Sequence, residues 1–348
     1  MKTFNNTTLI PRVISEIKHR KDCDTSINCF GTKLDVPIIA SPMPDVCNGE
    51  MSYRLAGIGA LGIIHRFQSI EEQRKEYYTN NTAHLGVELK TIACAIGITG
   101  DYKERFKELF VAGCRIFCLD TANGANKQIE EAIKWIRKCV SLYEDSLAIT
   151  NLRIGETEPI NYTGKVYLIA GNVATKEGFE FLQNLGVDAI RVGIGGGSVC
   201  STKTETGVYM PTLESVLECK SVQKNTLIIA DGGIRTPSDM CKALVAGADL
   251  VMAGKIFAGY KETPGNVLKL EDGSKYKTYR GAASFSVQQE FSNEKPDFNE
   301  GNETLVPYVD DSVAKVIKRF KTGLQSSMSY MNATNISQYR INARLKNL

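Results

Sequence analysis

With 348 residues, 43% of them hydrophobic and 23% charged, the chain has the make-up of a soluble globular protein of one large or two ordinary domains. A formal net charge of +3 is too small to argue for nucleic acid or an anionic membrane as a partner, and no apolar run is long enough to span a bilayer. The opening residues, MKTFNN, lack the apolar core of a secretion signal, and the ten cysteines are scattered, with no CxxC pair and only three histidines, so reduced thiols in a cytoplasmic enzyme are expected rather than disulfides or a zinc site.

Residues 1–35 are polar and irregular, with a basic piece at Lys18-His-Arg-Lys21, and predict a solvated surface arm. From residue 36 a rhythm sets in. Apolar runs at 36–40, 59–65, 91–95, 115–120, 166–170, 188–192, 227–230 and 249–253 predict eight strands. Amphipathic stretches at 49–56, 70–78, 102–112, 127–142, 176–185, 212–222 and 237–246 predict the helices between them, three of them stopped by Gly113, Gly186 and Gly247. Strands that are apolar throughout belong in a parallel sheet covered on both faces. Eight β/α units predict a single TIM (β/α)8 barrel domain over 1–348, ahead of a doubly wound open sheet.

Two stretches break the rhythm. Residues 144–165 are polar, hold Gly155, Pro159 and Gly164, and predict a surface insertion. Residues 259–307 are too long for an ordinary loop and predict a flap over the site, with a hairpin around Asp272-Gly273. Residues 308–348 give one more helix, at 312–324, and a polar, basic tail expected to be loosely ordered.

In a barrel of this type the chemistry collects at the C-terminal ends of the strands. There the sequence places Ser41 and Met43, His65, Asp120-Thr-Ala-Asn-Gly124, Gly171-Asn172, Asp231-Gly-Gly233 and Gly254-Lys255. The densest of these ends is GIGGGSVCSTK at 193–203. Its glycines let the backbone turn tightly and aim N–H or C=O groups at a phosphate or a bare cation. Cys200 sits where a thiolate can be presented to a ligand, with Thr202 two residues on to handle a proton. The run is not a dinucleotide fingerprint, because Ser198 stands where the third glycine belongs. The loops after strands seven and eight suit a phosphate held by backbone N–H groups, with Ser198 adding a hydroxyl, and Asp231 suits a ribose diol. A ribonucleotide monophosphate would fit that combination, with Cys200 facing the base.

The motifs PIIASPM (37–43), GIIHRF (62–67), LDTANG (119–124), IAGNVAT (169–175), RVGIGGGSVCSTK (191–203), IADGGIRT (229–236), VMAGKIFAG (251–259) and YRGAAS (279–284) resemble, in order and spacing, the IMP dehydrogenase / GMP reductase family. The resemblance implies that Cys200 attacks C2 of the purine to give a thioimidate, and that hydride passes between C2 and a nicotinamide. It implies catalytic roles for Thr202 and Glu300. It implies nucleotide binding by Ser41, Met43, Ser198, Asp231, Gly232, Gly233, Gly254, Lys255, Tyr279, Gly281, Ala282, Ala283 and Gly301. His65, Asp120, Thr121, Ala122, Asn172, Ile194 and Gly195 match positions beside the cofactor. Gly195, Gly197 and Cys200, with Lys203, match a potassium site. A homotetramer is implied too.

Within the family the chain is most like GMP reductase. It has no CBS insertion, and no Arg-Tyr pair lies between Ser284 and Glu300 to activate water as a dehydrogenase requires. NADPH is the expected cofactor, with Lys18–Arg20 as the candidate contact to its 2′-phosphate. The alternative is a short IMP dehydrogenase using NAD. Gly196, the Met43-Pro44-Asp45 run, Tyr209, Lys255 and Ala282-Ala283 depart from the family pattern around the nucleotide, which opens a second alternative, a deoxy or modified purine nucleotide.

Overall fold

The computed structural model describes residues 1–81, 91–151, 164–291 and 299–348, with the backbone alone for 144–151 and 291. Eight parallel strands close into a barrel: β1 (Ile38–Ala40), β2 (Leu61–Ile64), β3 (Ile92–Ile96), β4 (Ile116–Asp120), β5 (Tyr167–Val173), β6 (Ala189–Val192), β7 (Leu227–Asp231) and β8 (Leu250–Ala253). They follow one another around the ring in chain order, and β8 returns to β1 through Val251↔Ile38 and Ala253↔Ala40. The TIM barrel expected from eight apolar runs is therefore the fold.

The strands are apolar on both faces because each face meets a different core. Ile39, Leu61, Ile63, Ala95, Ile169, Ile229 and Met252 form one cluster inside the ring. Their neighbours Ile38, Ala40, Ile64, Cys94, Ile190 and Val251 belong to the larger core under the helices. Those helices are α1 (Gly49–Ala56), α2 (Ile70–Asn80), α3 (Tyr102–Val111), α4 (Lys127–Asn151), α5 (Lys176–Asn184), α6 (Thr212–Val222), α7 (Pro237–Ala246) and α8 (Ala314–Tyr330). Capping sets their starts: Ser69 with Glu72 opens α2, and Thr236 with Asp239 opens α7, in reciprocal capping boxes. Among the described residues no helix is long and apolar enough to cross a membrane, and all ten cysteines are free thiols.

Three expectations need correction. The arm at 1–35 is neither irregular nor wholly solvated. Strand Thr7–Pro11 pairs antiparallel with a C-terminal strand, Ala343–Asn347, and the hairpin Ile27–Cys29/Thr32–Leu34 sends Cys29, Phe30 and Leu34 into the barrel's inner core. The tail is ordered as well, with helix Ile336–Asn342 leading into that C-terminal strand. The expected insertion at 144–165 begins as a continuation of α4 to Asn151, and its residues 152–163 lie outside the described part.

After β8 the chain builds a small antiparallel sheet from Leu268–Lys269, Lys275–Arg280 and Glu303–Pro307. The expected hairpin is its first turn. Arg280 fastens this sheet to the loop after β1. Its backbone N–H and Nε donate to Asp45 Oδ2 at 2.9 Å each, and its Nη2 donates to Oδ1 at 2.9 Å.

Candidate active site

A cavity of ≈ 500 Å³ opens at the C-terminal ends of the barrel strands, within the size range of small-molecule sites. The loop after β1 contributes Ser41 and Met43, and the end of β4 contributes Asp120, Thr121 and Ala122. Asn172 comes from β5, and the glycine loop after β6 supplies Ile194, Gly195, Gly197, Ser198, Cys200 and Thr202. Asp231, Gly232 and Gly233 follow from β7, Gly254 and Lys255 from β8, and Tyr279, Gly281, Ala282, Ala283, Glu300 and Gly301 from the flap. Scattered along the sequence, these residues share one wall.

The glycine loop folds as it does because it must pass close to its neighbour. At Gly193, with φ +138°, a Cβ would lie 2.1 Å from the carbonyl oxygen of Asp231, so no other residue fits. The loop then turns through Gly195 to Gly197, whose carbonyl accepts from Cys200 N–H at 3.3 Å. The Cys200 thiol donates to Thr202 Oγ1 at 3.2 Å, and that hydroxyl donates to Glu300 Oε2 at 2.8 Å. Thiol, hydroxyl and carboxylate thus form a relay along which a proton can leave sulfur.

Main-chain pairing brings Glu300 there. Residues 300–302 thread between the cysteine loop and residues 281–284. Ser201 N–H donates to Glu300 O at 2.9 Å, Asn302 N–H to Val199 O at 2.8 Å, and Gly281 N–H to Asn302 O at 3.0 Å. The flap is therefore stitched shut over the site by backbone hydrogen bonds. Gly301 is needed for this, since a Cβ there would meet Ser284 N at 2.5 Å.

Part of the cavity wall is a buried ionic network. Arg191, inside β6, donates to Asp120 Oδ1 at 2.6 Å and to Asp231 Oδ2 at 2.9 and 3.1 Å. Asn172 Nδ2 adds 2.8 Å bonds to Asp231 Oδ2 and Gly193 O, and Arg66 Nε stands 3.4 Å from Asp120 Oδ2. Burial pushes the Asp120 carboxyl up, but Arg191 and Arg66 outweigh it and hold that group below its ordinary value. The same aspartates outweigh burial at Arg191 and hold its guanidinium charged. Asp231 Oδ1 accepts no hydrogen bond among the described residues, which leaves it available to a ligand hydroxyl.

Two expected residues are not on the cavity wall. His65 is buried behind it, stacked on Phe67. Lys203 lays its ammonium 4.4 Å over the ring of Tyr209, and an ammonium has only protons to offer, so its side chain is no cation ligand. Four polar residues on the wall were not expected there: Arg66, Arg191, Arg235 and Gln288. Arg191 had a signal, because a charge inside an otherwise apolar strand must find partners.

The family model described as "IMP dehydrogenase / GMP reductase domain" matches residues 1–150 and 151–348. The chain belongs to the IMP dehydrogenase / GMP reductase family. It is similar to the inosine-5′-monophosphate dehydrogenase of Borreliella burgdorferi, with 32% identity covering 98% of this chain and 92% of that protein. It is similar to the GMP reductase of Chromobacterium violaceum, with 32% identity covering 97% and 95%. A third relative, the inosine-5′-monophosphate dehydrogenase of Nitrosopumilus maritimus, is 35% identical over 72% of this chain and 50% of that protein. The chain is thus an oxidoreductase of this family.

Proposed function

We propose that the chain is a GMP reductase, which removes the 2-amino group of GMP reductively to give IMP and ammonia. The observation that carries this reading is the Cys200–Thr202–Glu300 relay, closed by the flap. The Cys200 thiolate adds to C2 of the purine and the 2-amino group leaves as ammonia. Thr202 and Glu300 hold the thiol's proton and deliver it to the departing nitrogen. A reduced nicotinamide, when bound, supplies the hydride that C2 receives as the C–S bond breaks and the thiolate is released. The balance is GMP, NADPH and two protons giving IMP, NADP⁺ and ammonium.

Asp120, Thr121, Ala122 and Asn172, which line the cavity, suit such a cofactor. The carbonyls of Gly195, Gly197 and Cys200 are hard oxygen donors of the kind an alkali cation takes, and a potassium ion there would stiffen the loop that carries the nucleophile. Ser198, Tyr279 and the main chain at Gly233 and Gly254 suit a 5′-phosphate, and Asp231 Oδ1 suits the ribose.

A dehydrogenase has to hydrolyse the thioimidate and needs a group to activate water. The run FSVQQEFSNEKPDFNE at 285–300 holds neither arginine nor tyrosine, which favours the reductase. The likeness to the Borreliella burgdorferi dehydrogenase over nearly the whole chain supports IMP oxidation with NAD as the second reading. One paired assay with potassium present separates them. NADPH consumption with GMP, abolished in Cys200→Ala, is the expected result. NAD reduction with IMP in its place would overturn it.

A further inference from the structure

We propose that Lys255 and Arg235 form a subsite for a second phosphate group, so that the cavity takes a nucleoside 5′-diphosphate as well as a monophosphate. This rests on the nucleotide reading above. A nucleotide with its base at Cys200 places its 5′-phosphate between the loops after β7 and β8, beside the Ser198 and Tyr279 hydroxyls, which stand 3.5 Å apart. Lys255 and Arg235 stand on those same two loops, line the same cavity and are both exposed.

Three further observations mark this pair out. The first is that neither forms an ion pair among the described residues. The other two cations on the wall, Arg66 and Arg191, are paired to Asp120 and Asp231. The second concerns α7, which starts beside the phosphate loop. Its positive end is already occupied, because Asp239 accepts from Arg235 N–H at 3.0 Å, Thr236 N–H at 2.8 Å and Thr236 Oγ1 at 2.9 Å. The helix therefore has little left with which to offset an anion, and the two side chains are the compensating charges at hand. The third is reach. The Arg235 charge is felt at the buried Tyr279 hydroxyl, where burial pushes the phenol up and Arg235 is among the groups that oppose it. One end of the pair thus bears on the inner phosphate position, and both residues line the cavity while remaining exposed to solvent. An ammonium and a guanidinium so placed match the oxygens of an outer phosphate.

Isothermal titration of guanosine, GMP and GDP, and of the hypoxanthine series, tests this on the wild type and on the Lys255→Ser/Arg235→Ser double variant. Both positions are exposed, and a thermal melt confirms that the variant is folded. The diphosphate is expected to bind within about ten-fold of the monophosphate in the wild type, and the variant to lower that ratio by about ten-fold or more. A wild-type diphosphate weaker than that, or a ratio that does not move in the variant, overturns the second subsite. Failure of the monophosphates themselves to bind overturns the nucleotide reading instead, so the two failures are read separately.

Discussion

His65 follows β2, is 7% exposed and has its Nδ1 unpartnered among the described residues. Burial, then the charges of Arg105 and Arg280, push its pKa from 6.5 down to about 4. An unfolded chain takes up this proton near pH 6.5 and the folded one does not until pH falls to about 4. Stability is therefore full above the unfolded value, drains away as pH drops between the two, and is lost in full below the lower one. Between pH 8 and 5 the single ring accounts for about 2 kcal/mol. A His65→Gln variant, compared with wild type by urea unfolding at both pH values, should show that much less acid sensitivity. An unchanged difference would mean that other groups carry the acid limb. At this scale the sequence announces what a residue can do better than where it points. Cys200, Thr202 and Asp231 were legible because glycine-rich strand ends present side chains outward. His65 and Lys203 were not, because nothing local says that one ring turns behind the wall and the other side chain lies on Tyr209.

Among the elements, the flap is the one whose placement decides chemistry. Its three short strands have few buried residues: Glu303–Pro307 buries only Val306, so it carries no alternation by which a sequence could reveal it, whereas the turn at Asp272-Gly273 could be read. Polar anchors hold it instead. Lys277 is buried at its base and donates to the carbonyls of Tyr260 at 3.0 Å and Thr263 at 2.5 Å. Asp45, 3% exposed, grips Arg280 three times, and Arg280 also reaches Glu290 at 2.7 Å. Asp45 is one of the places where the sequence leaves the family pattern, and its fold context supplies a reason. Asp45→Asn keeps the shape and removes the charge. Because Arg280 retains Glu290, the loss should be about 2 kcal/mol rather than the larger cost of orphaning a buried ion. The expected kinetic signature is a raised KM for the nucleotide, through misplaced Tyr279 and Gly281, with a smaller fall in kcat. Steady-state kinetics with a KM equal to wild type would show that the flap finds its place without this anchor.

For the molecule as a whole, the barrel was legible from eight apolar runs because both faces of every strand are buried, a property that composition displays strand by strand. The closure of the chain on itself was not, since Thr7–Pro11 and Ala343–Asn347 lie at opposite ends of the sequence and neither is strongly apolar. Their pairing continues into Leu348 N–H donating to Asn6 O at 2.9 Å. The arm then runs on to Phe4, which packs against Gly233 and whose carbonyl accepts from Lys242 Nζ at 2.7 Å. Removing residues 343–348 should lower the melting temperature by a few degrees and raise the KM for the nucleotide, as the arm loses its hold beside the phosphate loop. Calorimetry and kinetics on the shortened chain check both, and a melt identical to wild type would assign the pairing no weight in global stability.

That pairing also imposes an order in time. Thr7–Pro11 offers a bare edge until Ala343–Asn347 has been made. A chain halted between Ala253 and Ala343 holds all eight strands of the ring and still displays an unsatisfied edge. Closing the barrel and covering its outer edge are thus separate events.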